Sequence, residues 1–115
     1  MTHEKYQDCI AACQACLVEC EHCAVACLNE KDVAMMAECI RLDMSCARVC
    51  ALAVGEMAGG SRFAERACEL CAEVCEECGA ECARHQADHC QSCAEACRRC
   101  AAACRDMAGA SSQAR

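Results

Sequence analysis

Cysteine is the residue whose number and spacing carry the chemistry of this sequence, with nineteen copies in 115 residues. From Cys9 to Cys27, six cysteines follow one another at spacings of four, three, four, three and four. Thiols act as ligands of soft metal ions, as redox groups or as halves of disulfides. Because an α-helix advances 3.6 residues per turn, the alternation keeps all six thiols on one helix face. The pattern therefore predicts a helix with a stripe of sulfur.

The same spacing recurs along the chain. Cys68–Cys82 and Cys90–Cys104 each hold five cysteines at alternating steps of three and four. Three further cysteines keep the phase in a second segment, where Asp43 stands at a stripe position. Six pairs have CxxC spacing, which is a weak signal once but indicates metal binding when six share one helical phase. The predicted thiol ligands are Cys9, Cys13, Cys16, Cys20, Cys23, Cys27, Cys39, Cys46, Cys50, Cys68, Cys71, Cys75, Cys78, Cys82, Cys90, Cys93, Cys97, Cys100 and Cys104.

Disulfides fit this pattern poorly. Helical neighbours three or four residues apart have Cβ atoms roughly 5–6 Å apart, whereas a disulfide needs about 3.8 Å. The cysteine number is also odd, and the N-terminus MTHEKYQDC has neither a secretory nor a twin-arginine pattern. We therefore expect a cytoplasmic protein, whose dense cysteines in a reducing compartment indicate metal or redox chemistry.

Interruptions of the pattern divide the chain into four helices. Asn29–Lys31 breaks the first stripe, and Asp32 is placed to cap the next helix. Gly59–Ser61 supplies a helix stop and an N-cap, and the phase resets over residues 85–88. The predicted helices lie near 4–28, 31–58, 61–85 and 87–107, with a frayed tail at 109–115. Short loops make neighbours antiparallel, so we predict one all-α domain over 1–115, an up-down-up-down four-helix bundle with cysteines lining its core.

Composition and residue pattern argue against several other classes of function. A net charge of −7 and a pI near 5.0 argue against a nucleic-acid partner. We find no apolar run of membrane-spanning length and therefore expect no membrane partner. No grouping of nucleophile, base and orienting residue is evident, so we predict that the chain is not an enzyme.

The need to balance the thiolate charge distinguishes the candidate metal ions. A thiol loses its proton on binding, so a loaded core would carry up to nineteen negative charges where uncompensated charge is costly. Four isolated tetrahedral zinc sites would leave about −8, since each binds four thiolates. A soft monovalent ion neutralises thiolates one for one, and Cu(I) accepts two or three of them. We predict multiple Cu(I) ions per chain, on the order of one per cysteine.

Repeated CxxC on helices, a cysteine-lined bundle and no export signal resemble the bacterial copper storage proteins, specifically their cytosolic branch, across nearly the whole chain. The resemblance implies multinuclear Cu(I) thiolate storage along the bundle axis and access through one open end. It also implies a homotetramer, and it makes copper donor or acceptor proteins candidate partners.

Several other side chains are candidate ligands. Asp43 occupies a core phase, where its oxygen would contact a metal or a ligand thiol, or else would tilt outward at a helix edge. His85 follows Cys82 by three residues, and His89 precedes Cys90, so both are predicted at the end of the bundle where copper is taken up. Met35, Met36, Cys27, Cys39, Cys82 and Cys90 are predicted at the same end.

The remaining candidates have ordinary structural interpretations. His3, Tyr6, Met57, Phe63 and Met107 are predicted to plug the opposite end of the bundle as a hydrophobic cap. His22 is out of phase with the cysteines and is predicted at the surface.

Three alternatives remain open at this stage. A metallothionein-like zinc store would use the same ligands but typically needs metal to fold. A thiol redox buffer would need exposed thiols of low pKa, usually beside a basic group. Iron–sulfur ligation is less favoured, because cluster-binding cysteines commonly lie on loops.

Overall fold

Four long helices form the molecule. The computed structural model describes the backbone of residues 2–113 and the side chains of residues 4–108, and within these residues it has no strand. The helices are α1 (Gln7–Leu28), α2 (Ala37–Ala58), α3 (Ala64–Ala83) and α4 (Asp88–Gln113), with short 3-10 helices at Thr2–Tyr6 and Val33–Met36. α1 and α3 each pack against both α2 and α4. The predicted four-helix bundle is confirmed, and the molecule measures 49 × 21 × 17 Å.

The helix ends differ from the predicted bounds. Asp32 accepts a hydrogen bond from the backbone N–H of Met35 at 3.4 Å, so it caps the 3-10 helix and not α2 itself. α3 begins at Ala64, because the hydroxyl oxygen of Ser61 accepts the backbone N–H of Phe63 at 2.9 Å in the preceding turn. α4 continues past 107, so residues 109–113 are helical where a frayed tail was predicted. Residues 114–115 lie outside the described chain.

Small side chains build the interior of the bundle. Every cysteine is at most 2% exposed, and the other buried residues are mainly alanines. At the contact between α3 and α4, a Cβ atom on Gly79 would lie 3.1 Å from the Cβ of Cys97. Glycine is therefore suited to this position, because it lets the two backbones approach closely. Such close packing brings sulfur atoms from different helices into contact.

The two ends of the bundle differ in composition. We call the end where α1 and α3 finish and α2 and α4 start the mouth. At the opposite end Tyr6 and Met57 are buried and Met107 packs partly buried against the core, as predicted for a cap. Phe63 is 47% exposed and does not plug this end, whereas the side chain of His3 lies outside the described part. The buried apolar side chains close the end away from the mouth.

One segment needs a correction to the sequence analysis. Glu4–Leu28 is a helical stretch long and apolar enough, by length and composition, to cross a membrane. The expectation that no run approaches such a length was wrong, because cysteine and alanine raise the hydropathy of α1. All six cysteines of this stretch are buried inside the bundle, which is the arrangement of a core helix.

Candidate metal centre

The four cysteine stripes meet in one continuous thiol core. All nineteen cysteines are free and buried, so each stripe predicted from the spacing faces the bundle interior. Away from the mouth, the Cys104 sulfur lies 3.6 Å from that of Cys9 and 3.7 Å from that of Cys13. Cys100 follows at 3.5 Å from Cys13, and Cys71 lies 3.8 Å from Cys100. α1, α3 and α4 therefore share sulfur contacts at this end.

The middle of the core is equally dense. The Cys16 sulfur lies 3.7 Å from those of Cys46 and Cys97 and 3.9 Å from that of Cys75. Cys46 and Cys75 are themselves 3.5 Å apart. Each of these four cysteines comes from a different helix, so a metal ion at this level would have ligands on every side.

Several groups of four thiols are compact enough to hold a metal ion. Within each group the sulfur atoms all lie within 4.8 Å of one another, and every member is buried. Five such groups are Cys13, Cys71, Cys100 and Cys104; Cys16, Cys46, Cys50 and Cys75; Cys16, Cys20, Cys46 and Cys97; Cys20, Cys78, Cys93 and Cys97; and Cys23, Cys27, Cys39 and Cys90. Because neighbouring groups share members, ions bound in them would be bridged into clusters and not isolated.

Asp43 lies inside the core and does not tilt outward. It is 0% exposed and is the one buried polar or charged side chain among the residues described. One carboxyl oxygen, Oδ1, accepts hydrogen bonds from the thiols of Cys78, Cys93 and Cys82 at 3.2, 3.3 and 3.4 Å. Burial, with the neighbouring Cys93 as a second cause, raises the pKa of the Asp43 carboxyl to about 8. Asp43 is therefore a protonated acid near neutral pH, surrounded by thiols.

The mouth brings His89 to the thiols. Its Nδ1 lies 3.5 Å from the Cys90 sulfur, 3.6 Å from that of Cys23 and 3.8 Å from that of Cys27. The same ring nitrogen can thus approach three members of the outermost four-thiol group. Its other nitrogen, Nε2, is 2.9 Å from Oε2 of Glu30, a residue that the sequence analysis did not single out.

His85 is placed differently. Its Nε2 is 2.8 Å from Oε2 of Glu81, which lies four residues earlier in the last turn of α3, and its side chain is 14% exposed. The described side-chain contacts join His85 to this carboxylate and not to a cysteine. A ligand role for His85 would require its side chain to rotate towards Cys82. Met36 is buried, whereas Met35 is 67% exposed, so only the Met36 thioether packs against the core.

Burial disfavours the ionised form of the core thiols, although hydrogen bonds from the neighbouring Cys23 and Cys82 thiols lower the pKa of Cys39. Burial raises the pKa of the Cys27 thiol to about 11, and burial likewise raises the pKa of Cys90. The described residues place no cationic side chain among the buried ones to stabilise a thiolate. A bound cation would supply that missing positive charge.

The sequence of this thiol-lined bundle matches a known protein family. The model of the copper storage protein family matches residues 2–109. The chain belongs to this family. Its structure is similar to copper storage protein 3 of Bacillus subtilis, at 50% identity and a TM-score of 0.86 over 90% of this chain and 98% of that one. Cu(I)-bound BsCsp3 gives 50% identity and a TM-score of 0.87 over 90% and 97%.

A second relative extends the comparison. The cytosolic copper storage protein of Streptomyces lividans, solved with five coppers, shares 39% identity at a TM-score of 0.89, over 94% of this chain and 95% of that one. The resemblance inferred from cysteine spacing is thus confirmed at the level of sequence and of fold.

His22 lies exposed on α1, as its phase predicted.

The side chain of Gln91 makes two hydrogen bonds that the sequence did not predict. Its side-chain amide donates to the backbone carbonyls of Ala83 and His85, at 3.2 and 2.7 Å. The Ala83 carbonyl is the last of α3 and the His85 carbonyl lies two residues beyond it, so Gln91 closes the turn between α3 and α4. A polar residue just after Cys90 gave no signal of this role in the sequence.

Proposed function

We propose that this protein stores Cu(I), binding many ions as thiolate clusters inside the bundle. The observation that carries the proposal is a core of nineteen free, buried thiols in which the one other buried polar group among the described residues is an acid. Such a core has ligands for soft metal and no positive charge of its own. Cu(I)-bound BsCsp3 and the Streptomyces lividans protein solved with five coppers support the same assignment.

Loading is an exchange of protons for metal. Each neutral thiol gives up its proton as its sulfur bonds to copper, so one monovalent ion per thiolate leaves the interior uncharged. Sulfur contacts of 3.5–3.9 Å between helices allow one thiolate to bridge two ions. The proposed role is storage and not catalysis, because groups of four buried thiols would enclose each ion.

Every cysteine is proposed as a ligand, with Asp43, His85 and His89 as additional ligands. Asp43 is supported by its contacts to Cys78, Cys82 and Cys93, whose thiolates would hold metal beside its carboxyl group. His89 is supported by its three sulfur neighbours at the mouth. His85 rests on its position after Cys82 alone.

Copper capacity tests the proposal directly. Reduced, metal-free protein titrated with Cu(I) under a competing chelator is expected to bind on the order of one ion per cysteine, because each thiolate charge needs one monovalent partner. The bound copper per chain is counted after gel filtration. Saturation at one or two ions would contradict storage.

A parallel titration with zinc tests the alternative that the protein stores zinc. The same reduced chain is titrated with Zn²⁺, and its circular dichroism is recorded before any metal is added. We expect a helical spectrum without metal, because neutral thiols and alanines pack as small apolar side chains. A chain that folds only with zinc, and binds zinc more tightly than Cu(I), would favour the alternative.

His89 is expected to take part in uptake at the mouth. Replacing it with alanine removes the nitrogen nearest three outer thiols, so transfer from a Cu(I)–chelator complex should slow more than about tenfold while the final capacity stays nearly unchanged. His85→Ala should slow it less, since His85 contacts Glu81. His22→Ala, at an exposed site on α1, is the matched control. Equal rates for all four proteins would remove the mouth from the uptake route.

Assembly and location complete the proposal. We propose a homotetramer, as the family resemblance implies, and light scattering of the purified protein tests it by mass. Val18 and Val25 on α1 are 61% and 62% exposed, which supports burial of this apolar face between copies. A cytoplasmic location and exchange with copper donor or acceptor proteins are proposed with it. The cytosolic description of the Streptomyces relative supports the location.

A further inference from the structure

Glu30 lies at the mouth but belongs to no cysteine stripe. It sits in the turn between α1 and the 3-10 helix Val33–Met36, and its side chain is 41% exposed. Its Oε2 lies 2.9 Å from Nε2 of His89, whose own side chain is 14% exposed. The contact joins the turn after α1 to the first residues of α4, so it spans the mouth.

The partners of His89 define which nitrogen carries its proton. An ionised carboxylate only accepts hydrogen bonds, so Nε2 must donate an N–H to Glu30. On the opposite side of the ring, Nδ1 faces the thiols of Cys23, Cys27 and Cys90 at 3.5–3.8 Å, and each thiol has a proton to donate. A neutral imidazole protonated at Nε2 satisfies both sides at once. Its free lone pair then points at the outermost thiols.

We propose that Glu30 is a positioning residue for copper uptake, holding the proton of His89 on Nε2 and its Nδ1 lone pair towards Cys23, Cys27 and Cys90. A ligand histidine is commonly oriented by a carboxylate on its second nitrogen, which fixes the tautomer and ring direction. This inference rests on the proposed function, because it concerns how Cu(I) reaches the storage core. Glu30 itself does not touch the metal.

His85 shows why a carboxylate partner alone is insufficient. Glu81 also contacts Nε2 of its histidine, but it lies only four residues before His85, and the described contacts place no thiol at the other nitrogen of His85. Glu30 reaches His89 from a different part of the chain and leaves Nδ1 against three sulfurs. At the mouth, Glu30 therefore orients a histidine ring that already lies beside thiols able to bind metal.

Three variants test the proposal in the full-length, reduced protein at one fixed pH. Glu30→Ala removes the acceptor, whereas Glu30→Gln keeps a side-chain oxygen that can still accept the Nε2 proton. Glu38→Ala is the matched control, because it removes the same charge near the mouth but breaks only an exposed ion pair with Arg41. Nitrogen-15 NMR of the histidine rings reports the tautomer, with His89→Ala giving the assignment. Stopped-flow transfer from a coloured Cu(I)–chelator complex reports uptake.

In the parent protein His89 is expected to be protonated at Nε2 alone. Glu30→Ala should mix the tautomers and slow uptake about tenfold, the scale typical of residues that orient metal ligands. Glu30→Gln should keep the tautomer and stay within about threefold of the parent rate, and Glu38→Ala should match the parent. In a His89→Ala background, Glu30→Ala should have no further effect, because the residue it positions is gone.

Three results would overturn the proposal. A neutral imidazole of His89 protonated on Nδ1 in the parent would remove the lone pair that the proposal requires. Equal slowing by Glu30→Ala and Glu30→Gln would assign the effect to charge and not to orientation. Slowing by Glu30→Ala that persists without His89 would assign Glu30 a structural role. Final copper capacity is measured on the same samples, and a capacity of one or two ions in the parent would instead refute storage itself.

Discussion

Metal-free, fully reduced protein is expected to unfold cooperatively as the pH rises from about 9 to 10, whereas the Cu(I)-loaded protein should stay helical. In the metal-free core the thiols are buried, which favours their neutral form, and burial raises the pKa of Cys27 to about 11. In the unfolded chain each thiol ionises near its ordinary pKa of about 8.5. The unfolded state therefore binds fewer protons than the folded state in this range, and stability falls as pH rises.

The number of thiols makes this effect large. Each thiol that stays protonated only in the folded state costs about 1.4 kcal/mol of unfolding free energy per pH unit. Ten such thiols would cost about 14 kcal/mol per unit, which equals the whole stability of an ordinary domain. Circular dichroism against pH, under a strong reductant and without oxygen, measures the transition.

The Cu(I)-loaded form of the same chain is the internal control. Its thiols have already released their protons, so the folded and unfolded states no longer differ in this way over the range. Thiolate absorbance in the ultraviolet should rise together with loss of helix in the metal-free protein. Thiolates that appear near pH 8.5 while the helices persist would show that the core is not shielded from water.

The cysteine stripes were predictable because they depend on helical periodicity alone. Steps of three and four fix the face of each helix, and the breaks near Asn29 and Gly59 mark where the chain turns. Gly60 confirms the second break, since its φ of 62° lies in the left-handed region that favours glycine. Fold and inward thiols followed from these local rules.

Contacts between helices were not predictable in the same way. The periodicity of one helix does not determine how far it slides along its neighbour. The 3.3 Å sulfur contact of Cys39 with Cys82 and the contact of Glu30 with His89 therefore needed the structure. The spacing predicts that Asp43 faces the core. Whether its side chain contacts thiols or tilts outward depends on where α3 and α4 lie relative to α2.

Those interhelical contacts give the empty core a common protonation state. Asp43 is held as an acid for the same reason that the thiols are held neutral, because both lie in an interior without a compensating cation. Copper binding removes that constraint for every group at once. The core is therefore stable either protonated or metal-loaded, and least stable when it is deprotonated and empty.

Replacing Asp43 with asparagine is expected to flatten the dependence of metal-free stability on pH between 5.5 and 7.5. The folded pKa of about 8 lies above the ordinary value of 3.8, so only the folded state keeps this proton within the window. Its contribution is complete below 3.8 and is lost as pH rises towards 8. The parent protein should therefore lose about 2–3 kcal/mol across the two pH units, a loss that the asparagine variant lacks.

Urea unfolding at both pH values measures the difference, and comparing the two proteins cancels every contribution that they share. Asparagine keeps an oxygen for the thiols of Cys78, Cys82 and Cys93, so the variant should fold and become the more stable protein at pH 7.5. Asp106→Asn, at an exposed position on α4, is the matched control and should keep the parent slope. A parent slope equal to that of Asp43→Asn would mean that Asp43 is already ionised in the folded core, with water or a cation beside it.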